Sequence, residues 1–143
     1  MNARENFERA IEALNRHDMA AFARSYAPET LVYDPQNAEA LRDRDAVEKD
    51  ITEFIRAFPD IRFDIVDLLA DEHTVAGRLQ MSGTHQGVMV TPDGDIPPTG
   101  KTVTSEFSVF SRVNDDGEVV EEHRFYNPAD LLAQVGVKQL QLG

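Results

Sequence analysis

Carboxylates and imidazoles are the side chains that move protons near neutral pH, and a few of them stand in suggestive positions here. Asp34 lies between Tyr33 and Pro35, at the end of the short run Thr30-Leu31-Val32-Tyr33. A carboxylate partly shielded at a strand end has its pKa raised toward the range of a general base, although Asp-Pro is also an ordinary turn initiator. His85 follows Gly83-Thr84 and precedes a Pro/Gly-rich stretch. That placement suits an imidazole at a pocket mouth, there to transfer a proton or bond a carbonyl; the plainer reading is a structural histidine. Glu106 interrupts a mild strand face with Thr104 and Ser108, either as pocket lining in contact with substrate or within a solvated or dimer-facing row. His123 and Arg124 are adjacent on a late strand, so only one of them points inward. Tyr26 and Tyr33 carry hydroxyls able to donate to an oxyanion, but Tyr26 lies on an apolar stripe that favours core packing. Asn127, followed by Pro128 and Asp130, has the pattern of a helix N-cap, and its amide could also orient a carbonyl.

Composition narrows the chemistry. The chain has no cysteine, which removes disulfides, thiolate nucleophiles and Cys-based metal sites. His17, His73, His85 and His123 show no close paired spacing with Asp or Glu, and no phosphate-binding Gly motif occurs, so a protein without metal or cofactor is expected. A net charge of −12, with 14 Lys and Arg that never cluster, argues against nucleic acid as a partner. No apolar run approaches the roughly 18 residues of a membrane span, and no apolar segment opens the chain. A cytoplasmic address follows by default.

The elements that must position these residues can be read from periodicity. Phe7, Ala10, Ile11 and Leu14 form one helical stripe, and Met19, Phe22, Ala23 and Tyr26 form a second behind Asp18 as N-cap. A strand over Thr30 to Tyr33 follows. Val47, Ile51, Phe54, Ile55 and Phe58 then mark a third helix, ended by Pro59. Beyond Pro59 the period changes to alternation around Ile61–Ile65, Val75–Met81, Val103–Val109 and Val119, four strands expected to run as an antiparallel meander. Asp71-Glu72-His73 and Asn114-Asp115-Asp116-Gly117 suit the hairpin turns, and Thr91 to Gly100 reads as an exposed loop at one mouth of the sheet. A last helix runs from Pro128 to about Val135, with Gly136 as its C′ residue. Helices first and strands second define an α+β domain, expected to be single over residues 1–143, with helices on one sheet face and a pocket between them.

In this order, several stretches resemble the SnoaL-like polyketide cyclases: Ala13-Leu14-Asn15 with His17-Asp18, Tyr33-Asp34-Pro35, Phe58-Pro59-Asp60-Ile61-Arg62-Phe63, Ser82-Gly83-Thr84-His85-Gln86-Gly87, Ile96-Pro97-Pro98-Thr99-Gly100-Lys101 and Leu131-Leu132-Ala133-Gln134-Val135-Gly136. The resemblance covers Phe7 to Val137 and implies the cone-shaped nuclear-transport-factor-2-like (cystatin-like) fold. It sets Phe125, in His123-Arg124-Phe125-Tyr126, where the cyclases carry an acid/base Asp, with Asn127 two residues on. Because His123 shares its face with that pair, the resemblance favours His123 as the inward residue, with Phe125 and Asn127 against the substrate. Ala13 to Pro35 is also similar to ketosteroid isomerases and sets Asp34 at their proton-abstracting Asp. Their oxyanion Tyr and Asp would fall near Ala10 and Val109.

These readings combine into a cofactor-independent enzyme of cyclase, isomerase or hydratase type acting on a small apolar carbonyl- or epoxide-bearing metabolite. Asp34, His85 and His123 are its expected catalytic groups, and Tyr33, Glu106, Phe125 and Asn127 its expected substrate contacts. The competing reading is a binding or dimerisation module. An open pocket of about 300 Å3 or more reaching Asp34 favours the enzyme; a cavity filled by Phe125, Phe107 and Met81 favours the module. Either way a homodimer is expected, formed through the sheet face that helices leave bare.

Overall fold

The computed structural model describes residues 2–137; Met1 and residues 138–143, the ends of the expected domain, lie outside the described residues. Helix α1 (Ala3–Asn15) begins at Asn2, whose side chain accepts from Glu5 N, and α2 (Met19–Arg24) begins at Asp18, which accepts from Ala21 N. Between them His17 takes the left-handed conformation (φ 60°), with His17 N bonded to Leu14 O and Asp18 N to Ala13 O. That paired pattern closes the end of α1 and turns the chain into α2. Strand β1 (Tyr26–Tyr33) starts earlier than the sequence suggests: Tyr26 is its first residue and not the end of α2. Helix α3 (Arg44–Ala57), capped by Asp43, places Val47, Ile51 and Ile55 in the core.

The long strands β2 (Arg62–Ala70), β3 (Thr74–Thr84), β6 (Thr102–Val113) and β7 (Val119–Phe125) pair antiparallel in sequence order, as the alternation predicts. The expected loop between β3 and β6 contains a small hairpin of its own, β4 (Met89–Thr91) with β5 (Gly94–Ile96). Strand β1 joins the far edge of the sheet, parallel to β7, giving the order β1-β7-β6-β3-β2. The parallel pairing is not visible in periodicity, because it depends on where the crossover through α3 returns the chain.

Helices α1, α2 and α3 cover one face of this sheet, and the core lies between the layers. Phe7 of α1 packs so closely on Gly77 of β3 that a Cβ there would lie 2.7 Å from the ring, which is why this strand position has no side chain. On β6 the odd-numbered Val103, Ser105, Phe107, Ser111 and Val113 are buried, so Thr104, Glu106 and Phe110 face away from the helices. Helix α4 (Pro128–Gln134) closes the described chain against β6. It ends as predicted at Gly136 (φ 90°), where Gly136 N bonds Ala133 O and Val137 N bonds Leu132 O.

Candidate active site

A cavity of about 90 Å3 lies between the helices and the inner face of the sheet. Its greater part is apolar, formed by Phe7, Ile11 and Leu14 of α1, Phe63, Leu79 and Phe107 of the sheet, and Phe54 of α3. Its polar part is a cluster built on β7. Strand alternation sends Glu122 and Arg124 to the same inward side, and Tyr126 continues that side just past the strand.

Arg124 is the hub. Its Nη1 lies 3.2 Å from Asp34 Oδ2 and 3.1 Å from Asp50 Oδ2, its Nε donates to Glu122 Oε2 at 2.8 Å, and its Nη2 reaches the Tyr26 hydroxyl at 3.4 Å. The guanidinium is buried, and burial alone would pull its pKa down. The surrounding Tyr26, Glu122, Asp50 and Asp34 outweigh burial and hold it charged.

The two aspartates have different surroundings. Asp34, immediately after β1, is 6% exposed and accepts from the Tyr126 hydroxyl at 2.6 Å and the Gln36 backbone N–H at 2.9 Å, as well as from Arg124. Its turn-forming role and its place in the cavity therefore coexist. Asp50, on α3, is 31% exposed, and Arg124 is its one hydrogen-bond partner among the described residues. Burial raises the Asp50 pKa; Arg124 lowers it and Asp34 raises it, with the net direction upward. Burial and the Asp34 charge likewise hold the Tyr126 phenol far above its ordinary value, so it remains a donor, and Tyr26 stays protonated through burial and Glu122. The cluster thus places a carboxylate rich in donors beside a carboxylate inclined to keep its proton, bridged by one cation. That is an arrangement able to accept a proton at one oxygen and supply one at another.

Of the expected catalytic residues, only Asp34 is here. His123 projects to the outer face of the sheet, where Nε2 meets Glu121 at 3.1 Å and the ring stacks on Tyr33 at 4.7 Å between centroids. Tyr33 and Phe125 share that outer face; Phe125 is 60% exposed. A carboxylate at position 125 would point away from the cavity, so the phenyl there removes no acid from this site. Glu106 is also outside, paired with Arg78 at 3.1 Å. Asn127 accepts from Ala129 N and Asp130 N as the N-cap of α4, which occupies its oxygen.

His85 is fully buried and lines a different part of the molecule. Its Nδ1 faces the Thr99 hydroxyl at 2.9 Å, its ring packs on Phe58, and its Nε2 has no partner among the described residues. Burial lowers its pKa, as expected for a neutral structural imidazole and not for a group at a pocket mouth. The residues missed by periodicity are Asp50, Glu122 and Tyr126; Arg124 is the alternative that alternation leaves open beside His123, and Tyr26, noted for its hydroxyl, reads from its stripe as core packing. Asp50 does leave a signal: it lies at helical spacing within the apolar stripe Val47, Ile51, Phe54 of α3, where a charge has no structural reason to be.

The cavity reaches Asp34, but at about 90 Å3 it is smaller than the expected 300 Å3. Phe107 lines it, whereas Phe125 does not fill it and Met81 is packed in the core. Among the described residues no group of three or more His, Asp or Glu is arranged to hold a metal ion, and no helix is long and apolar enough to cross a membrane.

The fold built around this site is the nuclear-transport-factor-2-like α+β fold, shared with many solved structures. AclR from Streptomyces galilaeus, a candidate hydroxylase, matches with a TM-score of 0.79 and 28% identity over 94% of this chain and 95% of its own. IdmH from Streptomyces antibioticus, a candidate polyketide cyclase, matches with a TM-score of 0.77 and 26% identity over 96% of this chain and 100% of its own. A SnoaL-like protein from Jannaschia sp. CCS1, 14% identical with a TM-score of 0.78 over 96% and 95% of the two chains, shares the fold. No curated protein matches the chain. The family model of the SnoaL-like polyketide cyclases matches residues 5–135, and the chain belongs to that family.

Proposed function

We propose that this protein is a cofactor-independent acid-base enzyme of cyclase, isomerase or hydratase type, acting on a small apolar metabolite that bears a carbonyl or an epoxide. The observation that carries this reading is the sharing of Arg124 Nη1 by Asp34 and Asp50 at the polar end of an otherwise apolar cavity. Asp34 takes a proton from the substrate, or from a water or hydroxyl that attacks it. Asp50, with its raised pKa, returns a proton to the oxygen on which charge develops, and the positive charge of the nearby Arg124 guanidinium stabilises that oxygen. The apolar walls exclude water and hold the hydrocarbon body of the substrate. The volume suits its reacting end and not a large polycycle. Membership of the SnoaL-like family and the likeness to IdmH support the same class of chemistry.

The test is a panel of β-keto esters, cyclic enones and hydroxy-epoxides in D2O, followed for deuterium uptake, ring closure and hydrolysis. Wild type should turn over at least one class, and Asp34→Asn should lose about 100-fold, the size typical of losing a general base. Activity surviving in Asp34→Asn would sink the assignment.

The bare outer face of the sheet also supports a homodimer. Tyr33, Phe110 and Phe125 are exposed there together with Leu69, while Arg78 is neutralised on the same face by Asp67 and Glu106. A second copy related by a two-fold axis would cover this row with itself. A monomer by light scattering at micromolar concentration would count against it.

A further inference from the structure

We infer that Glu122 is a positioning residue: by clamping Arg124 Nε it turns the guanidinium so that a single nitrogen, Nη1, serves Asp34 and Asp50 together. The inference rests on the reading of those two aspartates as the proton-transfer pair. Glu122 is 4% exposed, and both its oxygens are engaged. Oε1 accepts from the Ser111 hydroxyl at 2.9 Å; Oε2 accepts from the Tyr26 hydroxyl at 2.7 Å and from Arg124 Nε at 2.8 Å. These partners come from β6, β1 and β7, so three strands fix one carboxylate.

The geometry of the guanidinium makes that fixation matter. It is a rigid planar fork, so holding Nε sets the plane in which Nη1 and Nη2 lie. Without the clamp, a fork gains most by meeting one carboxylate with two parallel bonds. Asp34 is the carboxylate it would choose, because Tyr126 and the Gln36 N–H already hold it in place. Asp50 would then lose the one donor it has among the described residues. Glu122 thus keeps the cation shared, and the shared cation is what joins the two aspartates into one device.

The test needs no substrate: a site-resolved carboxyl NMR titration of Asp50 in wild type and in Glu122→Gln. The charged groups that face Asp50 are Arg124 from β7, Asp34 after β1 and Glu53 on its own helix. If Glu122 positions Arg124, the substitution withdraws Arg124 from Asp50 and the Asp50 pKa moves further up. If Glu122 merely neutralises part of the Arg124 charge, the released charge falls on Asp34 and Asp50, and the Asp50 pKa moves down. A fall, or no change, overturns the inference. Should Glu122→Gln fail to fold, Ser111→Ala decides alone, since it keeps the ion pair, removes one of the two hydroxyls that orient Glu122 and, unlike Tyr26, has no bond to Arg124; a smaller upward shift supports the inference and any other result overturns it. With an active substrate in hand, Glu122→Gln should lower kcat about 10- to 100-fold with KM changed less than about threefold, the pattern of a misplaced catalytic group. A wild type without any proton transfer would remove the proposed function, yet the direction of the Asp50 shift would still decide whether Glu122 positions Arg124.

Discussion

Strand β7 has two faces of nearly equal polarity in sequence and opposite fates in structure. Glu122 and Arg124 face inward and form a buried network with Tyr26, Ser111, Asp34 and Asp50. Glu121, His123 and Phe125 face outward, where His123 meets a solvent-reached Glu121 and the rings stack in the open. The same two kinds of ion pair therefore have different energetic meaning. On the outside, an exposed pair is worth at most about 1 kcal/mol. On the inside, Asp34, Asp50 and Glu122 share one guanidinium, and removing it leaves charge on Asp34 and Glu122 that little water can solvate.

The strongest way to break the comparison is to remove the hub. Arg124→Ala should destabilise the fold by about 3–5 kcal/mol, read by chemical denaturation, because it leaves Asp34 and Glu122 buried, and Asp50 partly so, without a counter-charge. A loss below about 1 kcal/mol would mean that the inner face is as well solvated as the outer one.

Asp50→Asn separates function from stability. The raised folded-state pKa means that the native state holds a proton which the unfolded chain releases, so Asp50 costs stability as pH rises from the ordinary carboxylate value through the raised one. The substitution should therefore raise Tm at pH 7, with the gain fading below about pH 4 where both states are protonated. Proton transfer should fall with it. A variant less stable than wild type at pH 7 would show that the Arg124 contact outweighs burial.

The smallest effects belong to the outer face. Phe125→Asp, which restores the residue that the cyclase pattern carries, should leave turnover within about twofold, and His123→Ala should change monomer stability by about 0.5 kcal/mol or less, as exposed substitutions do. A gain of activity in Phe125→Asp would reverse the assignment of faces on β7.

How much of this is legible without the structure varies by residue. The existence of the helices and the meander, the Asp18 and Asn127 caps and the Gly136 stop follow from local rules, whereas the end of α2 does not, since Tyr26 continues its stripe yet opens β1. Asp34 is legible because a turn and a strand end mark it. The choice between His123 and Arg124 is not, because alternation gives two faces without saying which is inside. The resemblance points the wrong way by aligning Phe125 and Asn127 with a site, when Asn127 is already committed to capping. Asp50 is the instructive miss: the stripe of α3 is recognised by its apolar members, and the charge among them breaks no periodicity. A charge set among apolar residues at helical spacing asks for a partner, and that partner is Arg124.

Tyr126 sits between the end of β7 and the Asn127 cap of α4, one residue from each. Its hydroxyl donates to Asp34 and its ring stacks on Phe107 at 4.2 Å between centroids, so the donor is held from the sheet as well as by its place before the cap. Tyr126 itself lines the cavity, so any movement that withdrew its hydroxyl from Asp34 would move a cavity wall with it. The polar end of the site and the seam between sheet and α4 therefore meet at one residue, and hydrogen exchange along this seven-residue helix would record how firmly that seam is closed.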